Sequence, residues 1–342
     1  MKTIFSTDHE LHVSPGELLV GGFTDAFEKP ERAKLILERL QSVNLGEVVP
    51  PGEFGIAPIT RVHTSGLVDC LQTAHKEWLS SGRTGAAYPY TWPARGMRTD
   101  RVPKQIEGRL GFYSFDCGTP ITATSWRAIK SSVDVALSGA SLLSGGDRSA
   151  FSLCRPPGHH ASSSQFGGYC FLNNAAIATQ KLLDDGAERI AILDIDYHHG
   201  NGTQDIFYHR DDVLFVSLHG DPDQEYPYML GFADEAGAGR GEGYNLNFPL
   251  PWGTDWSEWS FALEEGLKRI RNYSPDAVVV SLGVDTYKGD PISQFKLDHD
   301  HFTLAGERIK SLGRPTLFVM EGGYAVAEIG INTVNVLTGF EG

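Results

Sequence analysis

The chain has 342 residues, of which 41% are hydrophobic and 21% are charged, a composition typical of a globular protein. Its formal net charge of −14 argues against a nucleic-acid-binding protein, which would normally be basic, and favours the attraction of a cationic ligand. The four cysteines form no CxxC pair, and neither a membrane-spanning apolar run nor a signal-peptide core is found, so we expect a cytoplasmic protein with reduced thiols and no membrane partner.

Short, continuously apolar runs predict strands that are buried on both faces. In chain order these strands are predicted at 3–6, 150–154, 189–196, 213–219, 277–285 and 316–321. Amphipathic patterns between several of them predict helices over ERAKLILERLQ, which follows Pro30, and over 125–146, 173–186 and 255–272. This alternation indicates one α/β domain over 1–342, with a parallel sheet covered by helices on both sides.

Residues 81–120 interrupt the alternation. The stretch is rich in Gly, Pro, Tyr and Arg, has weak periodicity and carries more basic than acidic residues on an otherwise acidic chain. A loop of this length inside a compact domain usually serves as a lid, a specificity element or a subunit contact. We therefore predict an insertion that docks against a second subunit, which makes the protein a homodimer.

Side chains suited to metal binding or acid–base chemistry lie at the carboxyl ends of four predicted strands: His159, His160, Asp194, Asp196, His198, Asp285, Glu321 and Tyr324. Each group alone could be part of a solvated loop. In an open parallel sheet, however, ligands bind beyond the carboxyl ends of the strands. Because four strands deliver such residues to one edge, the sequence predicts a functional site there.

The spacing of Asp196 and His198 indicates a metal site. Residues two apart in an extended segment point to the same side, so both side chains can bind one ion. With Asp285 from a neighbouring strand they make a set of two oxygens and one nitrogen, and three protein ligands leave a position for water or substrate. Asp194 is placed to hold a histidine from behind. The alternative, a helix cap after the strand, leaves Asp194 buried and unexplained.

His159, His160 and Tyr324 are the candidate catalytic groups. The prolines at 156 and 157 stiffen the approach to the two histidines, which become an acid–base pair if they face a metal-bound water. Tyr324 follows two glycines that permit close approach of the backbone, and its phenol is suited to donate to a developing oxyanion. Without the metal cluster these residues would be ordinary loop and turn residues.

The segments RPPGHHA, FGGYCFLNNAA, DIDYHHGNGTQDIF, SLHGDP, SLGVDTYKGDP and MEGGY follow one another in this order between about 150 and 330. Together they resemble the zinc-dependent histone deacetylase superfamily. FSTDHELH, the IEG at 106–108 and the 81–120 insertion are similar to its bacterial acetylpolyamine amidohydrolases. The resemblance implies the arginase–deacetylase fold, a single α/β domain around an eight-stranded parallel sheet with helices on both faces.

The resemblance also implies roles for individual residues. It makes Asp196, His198 and Asp285 the ligands of one Zn²⁺, with Fe²⁺ or Mn²⁺ as alternatives, and makes His159, His160 and Tyr324 the catalytic residues. Asp194 matches the aspartate that pairs with the first histidine, and Asn201 stands where many members have an aspartate beside the second. Tyr169 and Tyr226 match the walls of the substrate tunnel. A structural K⁺ is implied at Asp194, Asp196, His198, Ser217 and Leu218.

Two glycines bear on the number of metal ions. Arginase-like enzymes of the same fold bind two manganese ions through extra carboxylates. Here Gly200 and Gly283 occupy the informative positions, and glycine offers no ligand atom. The sequence therefore predicts a single metal ion.

The function that follows is hydrolysis of the acetyl group of N-acetylated polyamines such as acetylputrescine and acetylcadaverine, which are small cationic substrates. Glu107, Glu17 and Asp116 are predicted to meet the distal ammonium groups, although each acid taken alone is more typical of a solvated surface. An acetyl-lysine deacetylase acting on proteins or peptides is the alternative enzyme. A catalytically inactive sensor of acetylated ligands or polyamines is the alternative outside enzymes.

Overall fold

The computed structural model describes residues 1–19 and 21–342. The strands are β1 (Lys2–Ile4), β2 (Glu17–Leu19), β3 (Gly22–Thr24), β4 (Val48–Val49), β5 (Ser149–Ser152), β6 (Ile190–Asp194), β7 (Val213–Gly220), β8 (Asn245–Leu250), β9 (Ala277–Leu282) and β10 (Thr316–Met320). The α-helices are α1 (Glu31–Ser42), α2 (Ala57–Thr60), α3 (Ser65–Ser80), α4 (Ile106–Phe112), α5 (Ser125–Ser144), α6 (Asn174–Asp184), α7 (Asn201–Phe207), α8 (Trp256–Tyr273), α9 (His299–Lys310) and α10 (Ile329–Glu341).

Within the described residues, eight strands form one sheet in the order β4-β1-β5-β10-β9-β6-β7-β8. Every neighbouring pair in this sheet is parallel, which confirms the predicted fold class. The edge strands β4 and β8 were not predicted, because β4 has only two residues and β8 buries only two of its six residues instead of forming a continuous apolar run. Strands β2 and β3 form a separate antiparallel pair.

The side chains of the central strands alternate between two cores, one on each face of the sheet. In β6, Ala191 and Leu193 pack with residues of α1, α8, α9 and α10. Ile190 and Ile192 pack instead with residues of α5, α6 and α7. Because alternate residues of a strand point to opposite faces, helices cover both faces, as predicted.

A third apolar cluster attaches the 81–120 insertion to the domain. Ile106 and Leu110 of α4 and Ile121 pack with residues of α3. The insertion closes at its base, where Ala87 and Ile121 form a β-bridge. The weak periodicity of this stretch did not predict α4, because a helix of seven residues is too short to show a clear period.

The topology places four functional strands side by side. Strands β5, β10, β9 and β6 are consecutive in the sheet, and each precedes one of the polar segments identified in the sequence. Their carboxyl ends therefore form one continuous edge. Separately, none of the helices in the described ranges combines the length and apolar composition needed to cross a bilayer.

Candidate metal centre and active site

Asp196, His198 and Asp285 converge at this edge. One ligand atom from each lies within 4.8 Å of the others, and all three residues are buried. The Nδ1 atom of His198 is 3.4 Å from Oδ1 of Asp196 and 3.1 Å from Oδ2 of Asp285. The structure thus brings together the three residues that the sequence predicted as ligands.

The electrostatics of this cluster fit a bound cation. Burial, together with the neighbouring Asp196 carboxylate, raises the pKa of Asp285 to about 7. Burial also opposes ionisation of Asp196, but His159 and His198 hold the pKa of that carboxyl below its ordinary value. Two buried carboxylates this close are costly to ionise together unless a cation lies between them. Two carboxylate oxygens and an imidazole nitrogen are a ligand set suited to a catalytic divalent ion.

The glycines around the cluster leave room for these carboxylates and for no further ones. A Cβ atom at Gly283 would collide with the carboxylate of Asp196, and one at Gly200 would collide with that of Asp194. A Cβ atom at Gly322 would lie 2.5 Å from Oδ2 of both Asp196 and Asp285. An aspartate at position 200 or 283 would therefore displace the residues that form the first site.

The tandem histidines lie beside the cluster and have different partners. Nδ1 of His159 is 3.0 Å from Oδ2 of Asp194, and Nδ1 of His160 is 2.7 Å from Oδ1 of Asn201. The two imidazole rings are 4.1 Å apart, centroid to centroid, and both are buried. The partners are those that the resemblance implied.

These partners separate the two histidines electrostatically. Burial alone would lower the pKa of His159, but Asp196 and Asp194 raise it to about 10. Burial lowers the pKa of His160 well below its ordinary value, and the positive charge of the neighbouring His159 lowers it further. His159 is therefore the cationic member of the pair and His160 the neutral member.

The hydrogen bond to Asn201 also selects the tautomer of His160. The amide nitrogen of Asn201 is 3.4 Å from the carbonyl oxygen of His160, so the amide oxygen faces the imidazole. An amide oxygen accepts only, so Nδ1 of His160 carries the hydrogen and donates it. The Nε2 atom then has a free lone pair, as a general base requires.

The catalytic candidates border a cavity of about 330 Å³. Its lining includes His160, His198 and Tyr324, the aromatic residues Tyr169, Tyr226 and Tyr228, and the acids Glu17, Asp116 and Glu225. The cavity thus brings together the predicted histidine, tyrosine and tunnel-wall residues with two of the three predicted acids.

The predicted acids hold the tunnel walls through neutral donors. Oε2 of Glu17 accepts from the hydroxyl of Tyr169 at 2.5 Å, and Oδ2 of Asp116 accepts from that of Tyr226 at 2.7 Å. Asp116 also accepts from the backbone N–H of Gly168 at 2.7 Å. Burial raises the pKa of both acids. Their charge is met by hydroxyl and amide groups rather than by a side-chain cation.

Sequence reasoning missed Glu225. Its Oε2 accepts from the hydroxyl of Tyr197 at 2.7 Å and from the indole N–H of Trp252 at 3.1 Å, and the residue lines the cavity. Within the described residues, no Lys, Arg or His side chain forms an ion pair with Glu225, Glu17 or Asp116. The position of Glu225 immediately before the predicted tunnel-wall residue Tyr226 is the sequence feature that could have indicated its place in the cavity.

Glu107 requires a correction. It lies in α4 and forms an ion pair with Arg83, and it does not line the cavity of its own chain. The structure therefore separates Glu107 from Glu17 and Asp116, and a cation of the protein already neutralises it. This pairing could not be predicted from the sequence, because the two residues are far apart in the chain.

Two further buried acids hold the catalytic loops and were not assigned this role from the sequence. Oε2 of Glu321 accepts from the backbone N–H groups of Gly158 at 2.6 Å and His159 at 3.1 Å. Asp290 accepts from the backbone N–H of Tyr324 at 2.6 Å. Both acids lie inside the quoted motifs MEGGY and SLGVDTYKGDP, which was the only signal.

Three of the five residues predicted to bind K⁺, Asp194, Ser217 and Leu218, lie on adjacent strands, and Asp196 and His198 lie in the loop after β6. Asp194 of β6 pairs in register with Ser217 of β7, and Leu218 follows it. The hydroxyl of Ser217 is 2.8 Å from Nδ1 of His219, and Nε2 of that histidine is 2.8 Å from the carbonyl oxygen of Gly231. Because the carbonyl can only accept, Nε2 of His219 donates to it and Nδ1 accepts from the hydroxyl of Ser217.

Comparison with known proteins agrees with the resemblance. The sequence profile of the histone deacetylase domain matches residues 26–340. The chain belongs to the histone deacetylase family, and membership implies a metal-dependent enzyme.

Three members of this family are similar to the chain over nearly its whole length. The chain is 60% identical over 342 residues to acetylpolyamine amidohydrolase 2 of Pseudomonas aeruginosa, covering 100% of this chain and 99% of that protein. It is 48% identical over 342 residues to the acetylpolyamine amidohydrolase of Mycoplana ramosa, covering 100% of both. The crystal structure of an acetylpolyamine aminohydrolase from Burkholderia pseudomallei superposes with a TM-score of 0.95 at 38% identity, covering 99% of this chain and 98% of that one.

Proposed function

We propose that the protein hydrolyses the acetyl amide of N-acetylated polyamines. The observation that carries the proposal is the cavity. Its lining combines a neutral imidazole, a phenol and one member of the metal-ligand cluster, His198, with the acids Glu17, Asp116 and Glu225. Acids without a cationic partner favour a substrate that brings its own cation. The relatives named above, at 60% and 48% identity, are acetylpolyamine amidohydrolases.

Asp196, His198 and Asp285 would hold the metal ion, for which we propose Zn²⁺, with Fe²⁺ or Mn²⁺ as alternatives. Bound there, the ion supplies Lewis-acid polarisation of the acetyl carbonyl and lowers the pKa of a water molecule. The missing side chains of Gly283 and Gly322 leave room for both carboxylates, which accept from the backbone N–H groups of Gly322 (Asp196) and Tyr197 (Asp285).

His160 would act as general base and then as general acid. Its Nε2 takes a proton from the attacking water while the water oxygen bonds to the acetyl carbon. The same proton passes to the amine nitrogen as the carbon–nitrogen bond breaks, which yields acetic acid and the free amine, and the acid then releases its proton to become acetate. His159, held cationic by Asp194, stabilises the negative charge that develops. Tyr324 donates its hydroxyl hydrogen to the oxyanion derived from the carbonyl.

The test is steady-state kinetics with acetylputrescine, acetylcadaverine, acetylspermidine and an acetyl-lysine peptide. We expect higher kcat/KM for the acetylpolyamines than for the peptide. The reverse order would favour the protein or peptide deacetylase, and no turnover by metal-loaded protein would favour a sensor. Metal content measured on the same preparation separates an inactive protein from an unloaded one.

We further propose a structural K⁺ at Asp194, Asp196, His198, Ser217 and Leu218. The hydrogen bond from the Ser217 hydroxyl to His219 supports this, because it turns the hydroxyl hydrogen away and leaves oxygen lone pairs for a cation. The protein should unfold at a higher temperature in KCl than in tetramethylammonium chloride of equal ionic strength. Ser217→Ala should reduce this difference.

We also propose a homodimer formed through the 81–120 insertion. Tyr90 and Met97 of the insertion are 58% and 64% exposed, so both side chains are accessible to a second subunit. Tyr90→Glu should yield a monomer in light scattering. Phe261→Glu, at a 70% exposed position on α8, is the matched control and should leave the mass unchanged. A monomeric unmodified protein would contradict the proposal.

A further inference from the structure

The segment Glu321–Ala325 carries Tyr324 just beyond β10, and its second and third residues are glycines. Neither glycine has a side chain that could anchor the segment by packing. Gly323 has a φ of 129°, a conformation that favours glycine. The ring of Tyr324 lies against the guanidinium of Arg32 and the ring of Tyr169, but the backbone from which the phenol extends depends on the hydrogen bonds that hold this segment.

Two side chains hold the first part of the segment. Arg32 donates to the carbonyl oxygens of Glu321 at 2.5 Å and Gly323 at 2.6 Å. Oδ2 of Asp196 accepts from the N–H of Gly322 at 2.7 Å. These contacts fix the glycines, but they leave the N–H of the tyrosine without a partner from either side chain.

Asp290 holds the N–H of the tyrosine itself. Its Oδ2 accepts from the N–H groups of Tyr324 at 2.6 Å and Ala325 at 3.1 Å, and its Oδ1 accepts from that of Ile292 at 3.1 Å. Asp290 is 7% exposed and belongs to the same loop after β9 as Asp285. Hydrogen bonds to a carboxylate are stronger and shorter than those to a neutral acceptor, so this anchor is well suited to fix a loop.

We infer that Asp290 is a positioning residue that sets the phenol of Tyr324 relative to the metal-ligand loop. The inference rests on the proposed role of Tyr324 as oxyanion donor. A donor that is displaced stabilises the transition state less, while binding of the neutral ground-state carbonyl changes little. Loss of Asp290 should therefore lower kcat rather than raise KM.

Asp290→Asn is the direct test, because asparagine keeps the volume but replaces one acceptor oxygen by an NH₂ group that cannot accept. On the metal-loaded protein with acetylputrescine, we expect kcat to fall about tenfold or more. We expect KM to change less than about twofold, with metal content per chain unchanged. Asp276→Asn is the matched control, since Oδ2 of Asp276 also accepts from two consecutive backbone N–H groups, those of Glu188 and Arg189, just before β9 and outside the cavity, and it should leave kcat unchanged.

A double-mutant cycle with Tyr324→Phe shows whether Asp290 acts through the phenol. If it does, Asp290→Asn adds less than about twofold in the Tyr324→Phe background. A full additional loss there, or an unchanged kcat in Asp290→Asn alone, overturns the positioning role and leaves the role of Tyr324 standing. An unchanged kcat in Tyr324→Phe alone overturns the oxyanion role and this inference with it. If Asp290→Asn does not fold, Asp290→Ser, which keeps one acceptor oxygen, takes its place in the cycle with the same expected result.

Discussion

Asn201 accepts a hydrogen bond from His160 through an uncharged amide oxygen, 2.7 Å from Nδ1 of the imidazole. The equivalent bond of His159 goes to the carboxylate of Asp194. The neutral partner leaves His160 unprotonated at the pH where His159 is a cation, because burial lowers the pKa of His160 and no adjacent carboxylate at Nδ1 restores it. The identity of residue 201 should therefore control the pH at which the base is active.

Asn201→Asp should move the acid limb of kcat/KM to higher pH by about one unit. The introduced carboxylate stabilises the protonated imidazole and so raises the pKa of His160. A base must be unprotonated to work, so raising its pKa removes activity at low pH and preserves it at high pH. The measurement is kcat/KM against pH for both proteins.

A second histidine–asparagine pair supplies the control for this shift. Nδ1 of His299 is 2.6 Å from Oδ1 of Asn332, outside the cavity. Asn332→Asp makes the same chemical change and should leave the pH profile where it is. An Asn201→Asp profile that coincides with that of the unmodified protein would remove His160 from the role of base.

His160→Ala should lower kcat by at least about a hundredfold, because no other group in the cavity is placed to take the proton of the water. The metal content should remain near one ion per chain, since His160 is not among the residues of the ligand cluster. Elemental analysis beside the kinetics separates the two effects. Loss of both activity and metal would mean that the histidine holds the ion rather than moving the proton.

Removing the metal should make stability fall as pH rises from about 4 to about 7. Without a cation, Asp285 has a folded-state pKa of about 7, above the ordinary value of 3.8 for the free side chain. The folded protein then binds a proton that the unfolded chain has released, so stability is greatest below the lower pKa and is lost as pH rises through the higher one. Thermal unfolding of the chelated protein at a series of pH values measures this.

The metal-free Asp285→Asn variant is the comparison, because asparagine does not titrate and should show a shallower decline. Asp285→Ala should also lose most of the bound metal when it is purified without chelator. A metal-free protein whose stability does not depend on pH over this range would contradict the assigned electrostatics. Two tightly bound ions per chain would contradict the single-metal prediction.

The edge of the sheet that holds the site could be predicted from the sequence. Asp196, His198 and Asp285 each follow a continuous apolar run, and such runs indicate parallel strands whose carboxyl ends meet. The order of the strands could not be predicted, because it depends on which crossovers pack and not on any local pattern. Strand β8 was not predicted, because an edge strand buries less of each face and therefore lacks a continuous apolar run.

The roles of the acidic residues around the cavity could not be predicted from the sequence, for a different reason. Every acidic residue on a loop has the same local appearance, and its role depends on what lies opposite it in the fold. Glu107 and Glu225 illustrate this, since the first pairs with Arg83 and the second faces the cavity beside neutral donors. The net negative charge indicated a preference for cationic ligands. Which acidic residues face the cavity could be seen only in the three-dimensional structure.

Glu225→Gln should reduce kcat/KM for an acetylpolyamine more than for a neutral acetylated amide of equal length. The carboxylate lines the cavity and is bonded only to neutral donors, so its charge is available to a substrate ammonium group. For the unmodified protein, kcat/KM for the cationic substrate should fall with ionic strength, because the Debye length is about 10 Å at 0.1 M salt and shorter at higher concentrations. The neutral substrate should respond little.

Glu265→Gln removes the same unit of charge from an exposed position on α8 and controls for net charge alone. If the cavity acids recognise the substrate, Glu225→Gln changes the ratio of kcat/KM between the cationic and the neutral substrate, while Glu265→Gln does not. Equal effects of both variants would mean that the overall acidic field, rather than Glu225, attracts the substrate. A neutral analogue hydrolysed as well as the acetylpolyamine by the unmodified enzyme would contradict recognition of the cation altogether.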